Sequence, residues 1–316
     1  MTNSKHNVKK VIETINKNLK TNLSIGAEEA LRISRIETGM SPFDLVIGGG
    51  IPRQSVTEFY GFQSSGKTYI AQRIIAHAQQ QGLLCGYVDA EWSYDPVWAK
   101  TIGIDIDELI ISRPDTGEKA LDILLALCGA GCDLVVLDSI AALLPTAEAE
   151  GGMEDQQMGL HARMMNKIFR KLPMAMSSTT PGTAVIMINQ IRAGLGGYIT
   201  RETLPGGKGQ EFFSRIMVRM AKGESIGDKG FYIKLTTPKN KTFKPLQECT
   251  IPFYFTGQQE PMYELFTTAL DLDVIKRRGA SYSFNDHKAM GREGFVSLMK
   301  SDKILSEDIN TKVRSR

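Results

Sequence analysis

The sequence has 316 residues, of which 42% are hydrophobic and 23% charged, and its formal net charge is +3. This composition is typical of a soluble globular protein, and no apolar run approaches the ~20 residues of a membrane-spanning helix. The amino terminus lacks the apolar stretch of a secretory signal, and the cysteines form no Cys-x-x-Cys pair. We therefore expect a cytoplasmic protein with reduced, buried thiols and no structural zinc site. The small positive charge permits a nucleic-acid partner without requiring one.

The first predicted element is an amphipathic helix over residues 5–20, with lysines on its polar faces. Its apolar residues recur at helical spacing: Val8, Val11, Ile12, Ile15 and Leu19. A helix of this length is marginal alone, so we expect it to dock on another surface. That surface belongs either to its own domain or to a neighbouring subunit, and the spacing leaves both open.

A phosphate-binding loop is the strongest motif in the chain. Gly61–Thr68 reads Gly-Phe-Gln-Ser-Ser-Gly-Lys-Thr, which matches the P-loop pattern. Val56–Tyr60 supplies the strand that precedes such a loop, and a helical apolar face follows it at Ile70, Ile74, Ile75 and Ala78. This context favours a phosphate site over an ordinary Gly-rich turn.

The residue types in the loop suit the chemistry of a nucleotide. Gly61 and Gly66 lack a Cβ, so the backbone can approach an anion closely. Backbone N–H groups and the positive end of the next helix would face the phosphates. Lys67 would reach the β- and γ-phosphates, and Thr68 would hold Mg²⁺. We assign nucleotide binding to Gly61, Ser64, Ser65, Gly66, Lys67, Thr68 and Tyr69.

Strands and helices alternate after the loop. The predicted strands are Leu83–Asp89, Leu109–Ser112, Leu134–Leu137 and Ala184–Ile188. The predicted helices are Pro96–Ile102, Glu118–Cys128 and Leu160–Met176. This order predicts an α/β fold with a mostly parallel central sheet and helices on both faces. Sites in such sheets lie at the carboxyl ends of strands, where Tyr60, Asp89, Asp138 and Gln190 fall.

Two acidic residues at these strand ends are candidates for ATP chemistry. Asp138 ends a four-residue apolar run and follows the P-loop by about seventy residues, as a Mg²⁺-holding acid would. Glu91 lies just after the strand that ends at Asp89 and could activate the attacking water. From the residues alone, Glu91 could equally be an exposed acid in a turn.

Two segments predict functional loops, Glu148–Gly159 and Ile191–Gln210. The second has 20 residues with six glycines, which is long for an idle connection in a compact domain. Its basic residues Arg192, Arg201 and Lys208 surround the aromatic Tyr198, a combination that suits single-stranded nucleic acid. A surface loop without function is the alternative.

The remaining sequence predicts consecutive strands followed by a small α+β lobe. The strands are Ile216–Met220, Phe231–Thr237 and Glu248–Phe255, and antiparallel pairing is expected. Lys239 and Lys241 lie at the end of the second strand. They could be a solvated charged turn, or a pair of cations supplied to the phosphates of a neighbouring subunit.

Taken together, these segments resemble the bacterial RecA-type DNA strand-exchange recombinases. The resemblance runs from about Ile33 to the end of the chain. It rests on Gly61–Thr68, Asp89–Glu91 with Asp95 and Pro96, Arg113–Leu121, Leu137–Leu143, Met158–Met165, Asn189–Arg192, Gly206–Gly207 and Lys239–Lys241.

For the nucleotide, the resemblance implies a role for each matching residue, with ATP and Mg²⁺ as the bound species. It implies that Glu91 is the base, that Asp138 and Ser139 complete the metal site with Thr68, and that Gln190 reads the γ-phosphate. It implies that Asp95 and Trp98 contact adenine, and that Lys239 and Lys241 reach an adjacent subunit's ATP. Catalytic roles thus fall to Glu91, Lys67, Gln190, Lys239 and Lys241.

For partners, the resemblance implies a homo-oligomeric helical filament on single-stranded DNA that pairs with homologous duplex DNA. The implied DNA-binding residues are Arg163, Arg170, Arg192, Tyr198, Gly206 and Gly207. The implied organisation is an oligomerisation segment at 1–32, an ATPase core at 33–256 and a DNA-interacting lobe at 257–316. The first helix would pack on the next protomer.

Some positions depart from the family pattern. The P-loop has Phe62 and Gln63 where Pro and Glu are usual, Trp98 replaces the usual Tyr, and Glu211 stands where Lys is common. The second loop is slightly shorter, and the last residues are basic, which predicts weaker self-inhibition of duplex binding. These departures favour an unusual host or a viral origin. A ring helicase and a passive single-stranded-DNA coat protein are the alternative functions.

Overall fold

The computed structural model describes residues 2–21, 23–26, 33–151, 159–193 and 202–315. The chain divides into two compact units, Met1–Ser34 and Arg35–Arg316. Helix α1 (Thr2–Leu19) lies in the first unit, which confirms the predicted helix. Its apolar residues Val8, Val11 and Leu19 are exposed.

The second unit alternates helices and strands. Its helices, within the described residues, are α2 (Ser41–Ile47), α3 (Lys67–Gln80), α4 (Pro96–Thr101), α5 (Gly117–Gly129), α6 (Thr146–Glu150), α7 (Leu160–Met176), α8 (Gly209–Phe213), α9 (Pro261–Asp271), α10 (Arg292–Ser301) and α11 (Lys303–Arg314). Its strands are β1 (Arg35–Ile36), β2 (Ile51–Pro52), β3 (Ser55–Gly61), β4 (Cys85–Asp89), β5 (Leu109–Ser112), β6 (Leu134–Asp138), β7 (Ala184–Gln190), β8 (Arg192–Ala193), β9 (Glu202–Thr203), β10 (Ile216–Ser225), β11 (Gly230–Asn240), β12 (Glu248–Tyr254), β13 (Lys276–Arg278), β14 (Ser281–Phe284) and β15 (His287–Met290).

A single large sheet organises this unit. In the part of the chain that the structure describes it has eight strands, in the order β12-β11-β10-β3-β7-β6-β4-β5. The strands from β10 to β5 run parallel, which confirms the predicted α/β fold. Strands β10, β11 and β12 pair antiparallel with one another, as predicted. The sequence did not predict that β10 would also join the parallel part of the sheet beside β3.

Both faces of the sheet are buried because apolar residues occupy successive positions along its strands. In β6, Val136 packs into one hydrophobic cluster, whereas Val135 and Leu137 pack into the other. Successive side chains point to opposite faces, so one short apolar run serves both clusters. Helix α3 covers the first face through Ile70, Ile74 and Ile75, and helices α5 and α7 cover the second. This packing fixes the positions of the strand ends and hence of the site.

The carboxyl-terminal segment combines helices α9–α11 with the small sheet β13–β14–β15 around a third hydrophobic cluster. An ion pair links α3 to α9, because Arg73 Nη1 lies 2.8 Å from Glu264 Oε1. Both side chains are almost fully buried, at 3% and 2% exposure. Among the described helices, none combines the length and apolar character of a membrane span.

Candidate functional site

The carboxyl ends of four adjacent strands, β3, β7, β6 and β4, form one edge of the sheet. Register pairs Gly61 at the end of β3 with Gln190 at the end of β7. It likewise pairs Asp138 at the end of β6 with Asp89 at the end of β4. The polar residues that the sequence predicted at strand ends therefore lie together at this edge.

The P-loop connects β3 to α3 along this edge. Ser64 and Gly66 have positive φ angles of 59° and 87°, which turn the chain tightly before Lys67 opens the helix. Both loop glycines are also closely packed. A Cβ on Gly61 would lie 2.1 Å from the backbone oxygen of Met220, and one on Gly66 would lie 2.3 Å from Ile233 Cδ1. The loop is thus fixed against β10 and β11 as well as shaped for an anion.

Lys67 is buried within its own loop. Its Nζ donates to the backbone oxygens of Phe62 at 2.8 Å and Gly61 at 3.2 Å. Burial lowers the pKa of the Lys67 ammonium, while the nearby carboxylates of Asp138 and Glu91 act in the opposite direction. An ammonium in this environment is well suited to attract phosphate.

Asp138 carries the features of a cation ligand. Its Oδ2 accepts hydrogen bonds from Thr68 Oγ1 at 2.7 Å and from the Tyr87 hydroxyl at 2.8 Å. Its Oδ1 is buried and has no hydrogen-bond partner in the described residues. Burial raises the pKa of Asp138 to about 6, and the negative charges of Glu91 and Asp89 add to this effect. An unpaired carboxylate oxygen beside a hydroxyl fits Mg²⁺, which binds hard oxygen ligands.

Glu91 is held by two side chains at this edge. Its Oε1 accepts a hydrogen bond from Gln190 Nε2 at 2.7 Å and another from the hydroxyl of Ser139. The residue is half-buried and lines the cavity. This environment differs from that of an acid in an exposed turn, the alternative that the sequence had left open.

A cavity of about 400 Å³ joins the P-loop to an aromatic cluster. Its volume is within the range of small-molecule sites. Tyr69 and Trp98 line it together with Phe253, whose ring centroid lies 4.7 Å from that of Tyr69 and 6.2 Å from that of Trp98. Asp95 also lines the cavity, while its Oδ1 caps α4 by accepting from Val97 N at 2.8 Å.

Sequence reasoning missed several residues of this site: Tyr87, Gln72, Phe231 and Phe253. Gln72 is 2% exposed, and its Oε1 has no hydrogen-bond partner in the described chain. Its position four residues after Thr68, on the helical face shared with that threonine, was a usable signal. Tyr87 lies within an apolar strand and gave no comparable signal.

The two predicted loops contain regular structure in their described parts, which corrects the prediction. Glu148 lies in helix α6, and residues 152–158 lie outside the described chain. In the second loop, Arg192 belongs to β8, which pairs antiparallel with β9, and α8 begins at Gly209. Backbone hydrogen bonds form these elements: Glu148 N donates to Pro145 O in α6, and Arg192 pairs with Thr203 between β8 and β9. Tyr198 and Arg201 lie outside the described residues.

The described candidates for DNA contact come from helix α7, strand β8 and the loop end before α8. Arg163 and Arg170 are exposed on α7, and Arg192 is exposed on β8. Gly206 and Gly207 have positive φ angles of 94° and 77°, a conformation that favours glycine. Because the three arginine side chains are exposed, they are available to contact a phosphate backbone.

Lys239 and Lys241 contact the last turn of α8. Lys241 Nζ donates to Phe212 O at 2.8 Å, and Lys239 Nζ donates to Glu211 O. Cations near a helix carboxyl end are favourable. Burial lowers the pKa of Lys239, and the charge of Lys241 lowers it further.

The lysine pair lies at the edge of the sheet opposite the P-loop. Asn240, between the two lysines, pairs with Ile216 on β10, and Ile216 pairs with Thr57 near the start of β3. Gly61 is at the other end of β3. The structure therefore separates these lysines from the cavity of their own chain.

The chain is similar to known proteins over nearly its whole length. The family model for the RecA N-terminal domain matches residues 6–258. Protein RecA of Thermus aquaticus is 38% identical over 99% of this chain and 95% of its own. Protein RecA of Deinococcus radiodurans is 37% identical over 92% of this chain and 82% of its own. Protein RecA of Clostridioides difficile is 38% identical over 93% of this chain and 86% of its own.

Proposed function

The chain belongs to the RecA family, and from this premise we propose how its residues bind ATP, hydrolyse it and couple it to DNA. Its function is that of a RecA-type recombinase, which pairs homologous DNA and exchanges strands. Nothing in the comparisons favours a ring helicase or a passive coat protein. The residue roles below are our proposal.

ATP occupies the cavity with its phosphates on the P-loop. Lys67 and the backbone N–H groups of Ser64–Thr68 receive the phosphate charge, and the base packs near Trp98 and Asp95. Thr68 and Asp138 would hold Mg²⁺, which would supply positive charge to offset the charge of the phosphates. Tyr87 supports this arrangement because it fixes the orientation of the Asp138 carboxylate.

Glu91 positions the attacking water and accepts its proton. The observation that supports this role is a shared acceptor. Glu91 Oε1 accepts hydrogen bonds from both Ser139 Oγ and Gln190 Nε2. Gln190 ends β7, directly before the second loop. When Gln190 turns to the γ-phosphate, Glu91 loses one hydrogen bond and becomes free to bind water, while the start of the loop moves with Gln190.

DNA and neighbouring subunits complete the proposed assembly. Single-stranded DNA lies against Arg163, Arg170 and Arg192, together with Tyr198 and the loop end at Gly206 and Gly207. Homologous duplex DNA is the second partner. Each subunit directs its own Lys239 and Lys241 to the ATP of the next, so that a helical filament contains complete sites.

The test is the ATPase rate with and without single-stranded DNA, with electron microscopy of the same sample. We expect DNA to stimulate hydrolysis, and helical filaments to appear when ATP and DNA are both present. Equal rates with and without DNA would contradict the proposal. Closed rings with unwinding activity would support a helicase instead. Intact strand exchange in Lys67→Ala would support a passive coat protein.

A further inference from the structure

Glu58 is a fully buried carboxyl group that the proposed chemistry does not use. It lies on β3, three residues before Gly61, and its exposure is 0%. Two side chains donate to it: Asn189 Nδ2 to Oε1 at 3.0 Å, and Ser214 Oγ to Oε2 at 3.2 Å. A carboxyl group is rarely fully buried unless it is paired or hydrogen-bonded.

Asn189 connects Glu58 to the γ-phosphate sensor. The backbone N–H of Gln190 donates to Asn189 Oδ1 at 2.9 Å, so the amide nitrogen of Asn189 must face the other way. That nitrogen lies 3.0 Å from Glu58 Oε1, 3.1 Å from Pro205 O and 3.1 Å from Gln210 Oε1. An amide has two hydrogens for these three acceptors. An ionised Glu58 competes best for them, because hydrogen bonds to charged groups are stronger.

The same group of side chains holds the end of the second loop. Gln210 Nε2 donates to Pro205 O at 2.9 Å, which closes the network on the loop side. A Cβ on Gly206 would lie 3.0 Å from Gln210 Oε1, so the loop end is tightly enclosed. Glu58 therefore lies behind both Gln190 and the last residues of the loop that is proposed to bind DNA.

The surroundings of Glu58 make its charge sensitive to pH. Burial raises its pKa to about 7, the hydrogen bonds from Asn189 and Ser214 lower it, and of the charged groups Glu211 raises it and Lys239 lowers it. On its own strand, Tyr60 is the other titratable group that interacts with it. The residues opposite it on β7 and β10 are Met187 and Met217, which carry no charge.

We propose that Glu58 is a positioning residue whose charge, through Asn189, ties Gln190 to the loop end at Pro205–Gln210 and so sets how strongly DNA stimulates ATP hydrolysis. This inference rests on the proposed function, because it concerns the coupling between the same two sites. Because Glu58 is fully buried, it would act through Asn189 and not by contact with ATP or DNA. Ionised Glu58 holds Asn189 firmly, and protonated Glu58 holds it weakly.

The test compares the full-length chain with Glu58→Gln and with the control Asp44→Asn. Asp44 is also buried, with a pKa raised by burial to about 7, but it lies on α2 and accepts from Thr38 N. The readout is the ratio of ATPase rates with and without single-stranded DNA between pH 6 and pH 8. The ratio should rise with pH through about 7 in the parent chain and in Asp44→Asn, following the ionisation of Glu58.

In Glu58→Gln the ratio should be independent of pH in this range and about tenfold lower at pH 8, the size of a typical coupling between two sites. Ser214→Ala removes one donor to the carboxylate and should shift the pH midpoint upward, because the charged form loses a hydrogen bond. This milder variant decides the question if Glu58→Gln does not fold.

Two outcomes would overturn the inference: a pH profile in Glu58→Gln that matches the parent chain, or an unchanged midpoint in Ser214→Ala. A parent chain that DNA does not stimulate at any pH would instead overturn the proposed function, so the two failures are distinguishable.

Discussion

Gln190, the last residue of β7, and Glu91, two residues after the end of β4, are joined by a hydrogen bond of 2.7 Å between Nε2 and Oε1. The Gln190 amide, which would sense the γ-phosphate, thus donates its hydrogen bond to the Glu91 oxygen that would activate water. In the proposed mechanism, nucleotide sensing and catalysis would compete for this one atom, and the site would stay inactive until Gln190 finds another acceptor.

Replacement of that carboxylate tests its catalytic role. We expect Glu91→Gln to reduce single-turnover ATP hydrolysis by about 10²- to 10⁴-fold, the usual contribution of a general base. Binding of a fluorescent ATP analogue should persist, because the P-loop is untouched. Glu108→Gln, which neutralises an exposed acid away from the cavity, is the control. A decrease of the same size in both variants would contradict the role of Glu91.

Mixing defective subunits tests whether the site is shared. Lys67→Ala disables the P-loop half, and a chain with both Lys239→Ala and Lys241→Ala disables the lysine half. Neither should hydrolyse ATP well alone, but a mixture contains interfaces that combine two intact halves. We expect DNA-dependent ATPase activity to recover on mixing.

The control for this experiment mixes Lys67→Ala with Glu91→Gln. Both changes damage the same half-site, so no interface in that mixture is intact. Recovery in this control, or no recovery in the first mixture, would show that the lysines do not act between subunits.

The first P-loop glycine offers a test of packing. A Cβ on Gly61 would lie 2.1 Å from Met220 O, a backbone atom that cannot rotate away. We expect Gly61→Ala to lower the free energy of unfolding by about 1–3 kcal/mol, as overpacking usually does. Gly129 ends helix α5 with nothing within 4 Å of the added Cβ, so Gly129→Ala should be neutral or stabilising. Urea denaturation compares the two, and equal effects would rule out the steric explanation.

Removing one partner of the buried ion pair between α3 and α9 should lower the free energy of unfolding strongly. Replacing both partners by apolar residues should lower it much less. Removing one partner, as in Glu264→Gln, leaves the Arg73 charge unpaired and should destabilise the chain by about 3–5 kcal/mol. The double substitution Arg73→Met with Glu264→Leu should recover most of that loss. Denaturation of the three variants gives the comparison. A double variant less stable than Glu264→Gln would contradict this explanation.

The buried carboxyl group of Asp44 should make the stability of the folded chain depend on pH. Burial raises its pKa from 3.8 to about 7, so between these values the folded state holds a proton that the unfolded state has lost. Its contribution to stability is therefore present at low pH and is lost as the pH rises toward 7. Between pH 5 and pH 8 the parent chain should lose roughly 3 kcal/mol relative to Asp44→Asn. Asp107→Asn, at an exposed site, should show no such difference.

The sequence predicted the parts of the site that lie at strand ends. An apolar run followed by Asp138 or Gln190 indicates both a strand and its carboxyl end, and parallel strands bring such ends together. The P-loop spacing predicted the turn before α3 for the same local reason. These signals need no knowledge of register.

Residues within strands escaped prediction because their partners depend on strand order. Tyr87 reaches Asp138 since β4 lies beside β6, and Glu58 reaches Asn189 since β3 lies beside β7. A usable signal did exist for Glu58, because a carboxyl group inside an apolar strand needs buried partners. The sequence could not identify those partners, and the loops beyond Gln190 carry too few apolar residues to predict their short strands.

If the lysine pair serves the ATP of a neighbour as proposed, its placement opposite Gly61 on one sheet would give the subunit two different ends. Such ends would not be complementary to themselves, so two copies could not complete both of their sites in a closed pair. Each added copy would complete one site and present a new incomplete one, and growth would continue in one direction. Because both half-sites lie on the same sheet, the length of its strands would set the spacing between successive ATP molecules.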